Sequence, residues 1–501
     1  MSSGTERADT ALRRSLGLRE SVTITVGTVI GVGLFTVGAN VVGLMGAAVI
    51  LPTFIAMLVS IYPALLYAEM GAALPYAGGT YKYASHGLNQ PMGMLAAWNF
   101  IISLVAVTSG EALAFSFYLK TACRVLGWEL PLSDVAVACL VVALFIATNV
   151  CGVEITGRLQ NGFMFFFWGV ALVWFLMMMP HIRLPYFAVL PDYVDFRPAS
   201  LIGATAMIWW CFAGFETCCA MGEEIRHPQI NIPRALFLAP FIVFAVNALF
   251  QGFIVGIVPT ESLSALSKAD APYAEAMATA GLMGIPLLTL ALGIAFGGDF
   301  STLNASIAVP PRYLFTMARD GAMPRIFAAV HPRYRTPWVA ILFLGGLSIA
   351  LIATGSIVYI ASLSLFADLF YYVIGIAASL GLRFRRPDLK RPYRAPAIAF
   401  GAPVSAVLYV VMMSQLDRDA FWTGIVWCVL GLVVFWFCRK KYGDSGDGAD
   451  AVGILAAEEP QEAEKLAMDR EYRWWCAATA LAVLAALAFY ALPFLHRFNN
   501  L

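Results

Sequence analysis

The feature that most constrains this chain is a series of apolar runs, each about as long as a bilayer is thick, divided by short polar stretches. A helix needs about 20 such residues to cross a hydrocarbon layer of ~30 Å. Runs of that kind lie at 21–42, 48–72, 94–119, 133–150, 160–180, 200–220, 236–258, 284–310, 338–353, 357–382, 402–416 and 422–438, which makes twelve. Composition agrees: of 501 residues 60% are hydrophobic and only 13% charged, and the mean hydropathy is +0.77. No water-soluble domain could hide that apolar excess, so the soluble-enzyme, secreted disulfide-scaffold and disordered classes are excluded. The 32 basic and 31 acidic side chains leave no basic stripe for a nucleic acid. The nine cysteines include no CxxC pair, and neither a disulfide framework nor a metal site is indicated.

Residues 1–20 are polar and carry Arg7, Arg13, Arg14 and Arg19, and the first apolar run begins too late and runs too long for a cleaved signal peptide. The N-terminal segment is therefore expected to stay in the cytoplasm. From that start, the inside loops collect Arg13, Arg14, Lys82, Arg158, Arg226, Arg234, Arg319, Arg325, Arg333, Arg335, the dense basic run at 383–394, and Arg439, Lys440 and Lys441. The outside loops hold only Lys120, Arg124, Arg183, Arg197, Lys268, Arg418 and Arg497. The positive-inside rule then fixes the orientation in a plasma or inner membrane, and the asymmetry would collapse if one central span were misplaced. The chain divides into a cytoplasmic segment 1–20, a twelve-span core 21–438, a charged cytoplasmic linker 439–473 and a further apolar run 474–495. That run reads most simply as a thirteenth span, with an amphipathic or partner-contacting segment as the alternative.

Two spans are interrupted by glycine in comparable places. The first reads Gly27-Thr28-Val29-Ile30-Gly31-Val32-Gly33-Leu34-Phe35, and the sixth reads Trp209-Trp210-Cys211-Phe212-Ala213-Gly214-Phe215-Glu216-Thr217. Glycine weakens a helix by roughly 1 kcal/mol relative to alanine, and in lipid an unwound backbone survives only where it lines a cavity. Breaks five spans apart suit the midplane binding site of a five-plus-five inverted repeat. Close helix packing through small residues is the other reading of the same glycines.

The first of these motifs resembles the first-helix motif of the amino acid–polyamine–organocation permeases. Pro75-Tyr76-Ala77-Gly78-Gly79-Thr80-Tyr81 is similar to their loop after helix 2. Phe212-Ala213-Gly214-Phe215-Glu216, followed by Glu223-Glu224 and Asn231-Ile232-Pro233-Arg234-Ala235, is similar to helix 6 and its exit. Met317-Ala318-Arg319-Asp320-Gly321 with Pro324, and Leu382-Arg383 with Arg391-Pro392-Tyr393-Arg394, fit the loops after helices 8 and 10. These landmarks run in family order from about residue 16 to 440.

The resemblance implies an all-α integral membrane protein, a five-plus-five inverted-repeat bundle of twelve core helices, with substrate between the broken helices 1 and 6. Amide N–H groups at Gly31, Val32 and Gly33, at the positive end of a half helix, would receive a carboxylate. Carbonyls at Val29, Trp210 and Ala213 would receive an ammonium, with Thr28 and Gly214 completing the site. Trp210 matches the family's stacking aromatic, where cation–π attraction of ~0.5–2 kcal/mol would favour a cationic group.

Four acids lie within spans: Glu111, Glu216, Asp299 and Asp368. A charge at a helix centre costs roughly 2.5–3.5 kcal/mol or more, so each needs a partner, a proton or water, and no intramembrane lysine offers itself. Glu216 adjoins the Gly214 break and is the first candidate for proton coupling; Asp368 is the next, and for Asp299 and Glu111 ordinary hydrogen bonds compete with function. Some relatives carry a lysine about nine residues beyond the arginine that opens helix 5; counting from Arg158 reaches Phe167, so that mechanism is not carried over. Sodium would find hard oxygen ligands at Ser301, Thr302, Asn304 or Ser306, which are also routine interhelical hydrogen-bonders.

A channel would need a polar pore stripe. An enzyme would need nucleophiles clustered in spans, whereas His86, His181, His227, His331 and His496 all lie in loops or near ends, and no GxxxxGK loop signals an ATP-driven pump. The expectation is a secondary active transporter of amino acids, proton-coupled or exchanging, needing no cofactor. A polyamine or cationic amino acid antiporter and a sodium-coupled symporter are the alternatives.

Overall fold

A computed structural model of the chain describes residues 14–31, 33–269, 271–353, 357–416, 418–443 and 459–499. Every apolar run read from the sequence holds helix, and the described residues form no strand beyond two isolated bridges. The first span is divided: α1 (Leu18–Gly27) stops, and the chain resumes as a π-turn, Gly33–Gly38, running into α2 (Ala39–Met45). There follow α3 (Ile50–Ala73), the loop helix α4 (Gly79–Gly87), α5 (Gln90–Val125), α6 (Asp134–Val150) and α7 (Val153–Met178). The sixth span is divided as well, with α8 (Pro198–Trp210) ending far short of the next helix, α9 (Pro228–Ile257). The remaining spans are α10 (Ile285–Gly293), a π-turn at Ile294–Asp299, α11 (Phe300–Ala308), then α12 (Pro310–Arg319), α13 (Trp338–Ile352), α14 (Ile357–Arg385), α15 (Ile398–Met413) and α16 (Arg418–Tyr442). Last comes α17 (Glu462–Asn499).

Among the described residues eight helical stretches are long and apolar enough to cross a membrane, and α6, α13 and α15 are shorter apolar helices. The chain is an all-α, multi-pass membrane protein. Starts are set by local chemistry: Asn89 accepts from Met92 N–H at 3.0 Å and Ser133 from Ala136 N–H at 3.2 Å, each satisfying an amide that an opening helix leaves bare. Proline opens α8, α9 and α12, where its missing N–H costs nothing.

Several boundaries depart from the sequence reading, with α7 opening at 153 and α9 at 228. The run read as 94–119 is a 36-residue helix, because polar residues at its ends extend α5 beyond the apolar stretch. The run at 284–310 stays helical throughout, but its middle widens into a π-turn that the glycines at 293, 297 and 298 flank or form. The linker read as 439–473 is already helical from Glu462, and its 444–458 stretch lies outside the described residues.

The helices sort by what they face. The apolar window of α5 is 89% buried and that of α9 83%, against 17% in α16, so α5 and α9 are central and α16 meets lipid. Exposed Phe165, Phe166 and Leu172 on α7 and Val426, Val429 and Trp436 on α16 form apolar outer faces. Where α4 crosses α14 the backbones nearly touch: a Cβ on Gly381 would lie 2.1 Å from the Gly87 carbonyl oxygen. Only glycine permits that approach.

The α4 loop helix, outside the spans, carries a buried charge and a buried ring. Lys82 Nζ lies 2.5 Å from Asp320 Oδ2, while desolvation pulls its pKa below the usual lysine range. Burial, then the charges of Lys82 and Arg386, with Asp320 opposing, push His86 down to about 4. The unfolded chain therefore takes up this proton first, so the contribution of the neutral ring is complete above about pH 6.5 and is lost as pH falls towards 4. Between pH 7 and pH 5 wild type should lose about 2 kcal/mol at this site. His86→Gln should flatten that part of the acid limb, read as the thermal midpoint of purified protein against pH; an unchanged limb would assign acid sensitivity elsewhere.

Candidate functional site

The two interrupted spans meet each other at their breaks. After α1 the Thr28 N–H still bonds the Ile24 carbonyl, and the chain then turns through 28–31 before the π-turn begins. After α8 the residues 211–216 form turns, with Gly214 at φ +98, a conformation that L side chains rarely adopt. Cys211 Sγ donates to the Gly33 carbonyl at 3.1 Å, and the hydroxyls of Thr28 and Thr217 are 3.2 Å apart. The breaks are therefore in register, and the space they leave is a narrow cavity of about 20 Å³, room for about one water molecule.

Thr28, Val29 and Gly33 line one side of the cavity and Trp210, Ala213 and Gly214 another. The remaining wall is α5, through Phe100, Ser103, Leu104, Val107 and Glu111, and α14, through Asp368. Of the residues expected to touch substrate, Gly31 is not on the wall. Its α-carbon packs behind it, where an added Cβ would lie 2.2 Å from Glu111 Oε1 and 2.5 Å from Thr302 Oγ1. Val32 lies outside the described residues. The Trp210 carbonyl, expected to be free, accepts Ala213 N–H at 3.2 Å, because the turn after α8 closes on it. Trp209 points away, donating to Tyr409 Oη at 3.2 Å.

The four acids separate into two on the wall and two behind it. Asp368 sits among the hydroxyls of Ser103 and Ser364 and the indole N–H of Trp210. Ser103 and Ser364 are themselves 2.9 Å apart, and Trp210 Nε1 donates to Ser364 Oγ at 3.3 Å. Glu216 is buried behind the cavity, where the Tyr372 hydroxyl donates to its Oε2 while accepting the Gly214 N–H at 2.8 Å. One tyrosine thus joins that carboxyl to the helix break. Glu111 faces the fully buried Asp299 across α5 and the π-turn, with Tyr118 beside Asp299. The α5 contribution was readable as a helical stripe, since 100, 103, 104, 107 and 111 fall on one face. Ser364 and Tyr372 carry no comparable signal.

The α11 hydroxyls and amide are occupied. Ser301 Oγ accepts from Gln160 Nε2 at 2.7 Å, and Thr302 Oγ1 donates to the Gly27 and Ile30 carbonyls at 2.9 and 3.0 Å. Asn304 donates to Thr156 O and Gln160 Oε1, and Ser306 accepts from Thr108 at 2.8 Å. Between α1, α7 and α11 the amide of Gln160 donates to Thr23 O, with Met164 beside it, whereas the Phe167 ring packs against Phe35 and Phe250. Among the described residues no group of three or more His, Cys, Asp or Glu side chains could hold a metal.

The face that carries Arg14, Arg19 and Arg226, here the basic face, is closed over the cavity. Ser15 and Leu16 N–H both donate to the Glu224 carbonyl, at 2.9 and 3.1 Å, and Arg226 N–H donates to Leu16 O at 2.7 Å. The Glu224 carboxylate takes a two-pronged bond from Arg312, at 3.1 and 2.9 Å, with both side chains buried. Glu223 pairs with Arg319 at 3.0 Å and accepts Ala77 N–H at 3.0 Å. Glu69 likewise holds Arg383 and Arg391, and Glu154 pairs locally with the exposed Arg158.

Residues 16–445 match the family model described as amino acid permease. An uncharacterized transporter of Mycobacterium tuberculosis is 30% identical, over 87% of this chain and 95% of its own. A branched-chain amino acid permease of Bacillus subtilis is 23% identical over 86% and 94%, and the large neutral amino acids transporter small subunit 2 of Mus musculus 25% over 85% and 79%.

Proposed function

This chain belongs to the amino acid permease family, and from that premise we propose that it is a secondary carrier moving amino acids by alternating access, proton-coupled or exchanging. Its N-terminal, basic face lies in the cytoplasm of a cell bounded by a plasma or inner membrane, as the loop charges favour. The observation that carries the reading is the cavity at the junction of two helix breaks, walled by Thr28, Val29 and Gly33 on one side and by Ala213 and Gly214 on the other, the place where a broken-helix carrier receives a small zwitterion. The substrate carboxylate is assigned to the helix-1 break and its ammonium to the helix-6 turn, with Trp210 over the bound molecule.

Asp368 on the wall favours a second reading, transport of cationic amino acids or polyamines, because its carboxyl is placed to meet a substrate cation. Sodium coupling is the weaker alternative, since Ser301, Thr302, Asn304 and Ser306 already serve protein partners. For the proton, Glu216 is the assigned site, Tyr372 being its link to the moving backbone, with the Glu111–Asp299 pair and Asp368 as the other candidates.

Uptake of labelled amino acids into proteoliposomes, with and without a pH gradient, tests the reading. Glu216→Gln, which keeps size and hydrogen bonding, should flatten the pH dependence while exchange stays measurable. Asp368→Asn should shift selectivity away from cationic substrates more than it alters the pH response. A wild-type pH profile in Glu216→Gln moves the proton to another acid or removes it from the mechanism.

A further inference from the structure

Residues 462–499 form α17, beyond the stretch 16–445 that matches the permease model. Its apolar part is seated along α9. Phe489 stacks on Phe253 at 4.9 Å and meets Phe187 edge-on at 5.5 Å, and a Cβ on Gly252 would lie 2.8 Å from the Phe489 ring. Trp475 is buried against Trp168 of α7, ring centres 5.7 Å apart. Small-residue packing of this kind anchors one helix firmly on another.

The polar first turns of α17 reach different targets. Glu464 Oε1 lies 3.0 Å from His227 Nε2, and Asp469 pairs with Arg234, whose guanidinium also lies 4.9 Å over the Tyr472 ring. Glu471 Oε1 is 3.9 Å from Arg19 Nε. Arg19 belongs to α1, whereas His227 and Arg234 belong to the start of α9. These are the two segments that meet in the closed gate, where Leu16 bridges Ile225 and Arg226 bonds back to Leu16. Glu464 and Glu471 stand about two turns apart, so one stiff helix contacts both sides.

We infer that α17 is a strap across the basic-face gate. Anchored to α9, it holds the start of α1 beside 224–227 through Glu471 and so slows the separation that opens the cavity to that face. Each pair is partly exposed and individually weak, which suits a brake on a working carrier rather than a lock. The effect on transport rests on the alternating-access reading above; the effect on the gate does not.

Hydrogen–deuterium exchange of the full chain reads the gate without substrate, because the Leu16 and Arg226 amides are bonded across it. Glu471→Gln should raise exchange in peptides covering 14–20 and 222–228 by about two- to fivefold, the range one exposed ion pair controls, with α5 peptides unchanged. The swap of Arg19→Glu with Glu471→Arg should restore wild-type exchange, which a general loosening of the fold would not. Initial uptake should rise with gate exchange. Wild-type gate exchange in a Glu464→Gln, Asp469→Asn, Glu471→Gln protein of unchanged thermal midpoint overturns the strap. Raised gate exchange in a protein that moves no labelled amino acid upholds the strap and removes the transport reading instead.

Discussion

A carrier bearing Gly33→Leu is expected to insert and purify, to melt only modestly below the wild type, and to transport nothing measurable. A Cβ at Gly33 would meet Cys211 Cα at 3.5 Å and Trp210 Cε3 at 3.8 Å, ordinary contact distances, so Gly33→Ala should keep the fold and much of the activity. The extra carbons of leucine have only the cavity to enter, between the two helix breaks, where the substrate is assigned. The expected loss is at least about 100-fold in initial uptake, equivalent to about 2.7 kcal/mol of excluded binding or more. Gly31 sets the contrast: even alanine there must displace both Glu111 Oε1 and Thr302 Oγ1, which a Cβ would approach to 2.2 and 2.5 Å, so its cost falls on folding. Uptake assays paired with thermal unfolding separate the two. Wild-type uptake by Gly33→Leu would move the substrate away from this cavity.

What could be read in advance follows from which signals are local. Helix breaks are local, because glycines at 27, 31, 33 and 214 lower helix stability where they stand. Buried acids are local too, since hydropathy places Glu111, Glu216, Asp299 and Asp368 within apolar runs. The partners of those acids are not. That Tyr372 joins Glu216 to Gly214, or that Ser103 from α5 meets Ser364 from α14, depends on how helices far apart in sequence are rotated about their own axes. The same dependence hid Gln160, whose amide reaches Ser301 and Asn304 of α11. Gly31 is expected on the cavity wall, but a glycine signals close approach without saying to what. Here its α-carbon faces the side chains of Glu111 and Thr302.

The gate ion pairs were the least legible feature and carry the second large effect, because whether a charge pair matters turns on burial, which a loop sequence does not disclose. Arg312→Ala is expected to destabilise the carrier by about 3–5 kcal/mol, the range seen when one partner of a buried pair is removed. The Glu224 side chain is 0% exposed and Arg312 1%, so the remaining carboxylate has no water to turn to. Glu224 is also the residue whose carbonyl receives Ser15 and Leu16, so its displacement should release the N-terminal segment from 224–226 as well. Two measurements distinguish a gate from a mere stabilising contact. Replacing both partners by methionine removes the buried charges together and should recover most of the thermal midpoint, since apolar substitution of a whole pair is often neutral. The recovered protein should still expose the Leu16 and Arg226 amides to exchange, because a methionine pair lacks the two-pronged bond that orients the 224–226 turn. If Arg312→Ala melts and transports as wild type does, the pair is solvated in the working protein, and the closed basic face is held by the Leu16–Ile225 bridge and the Glu223–Arg319 pair instead.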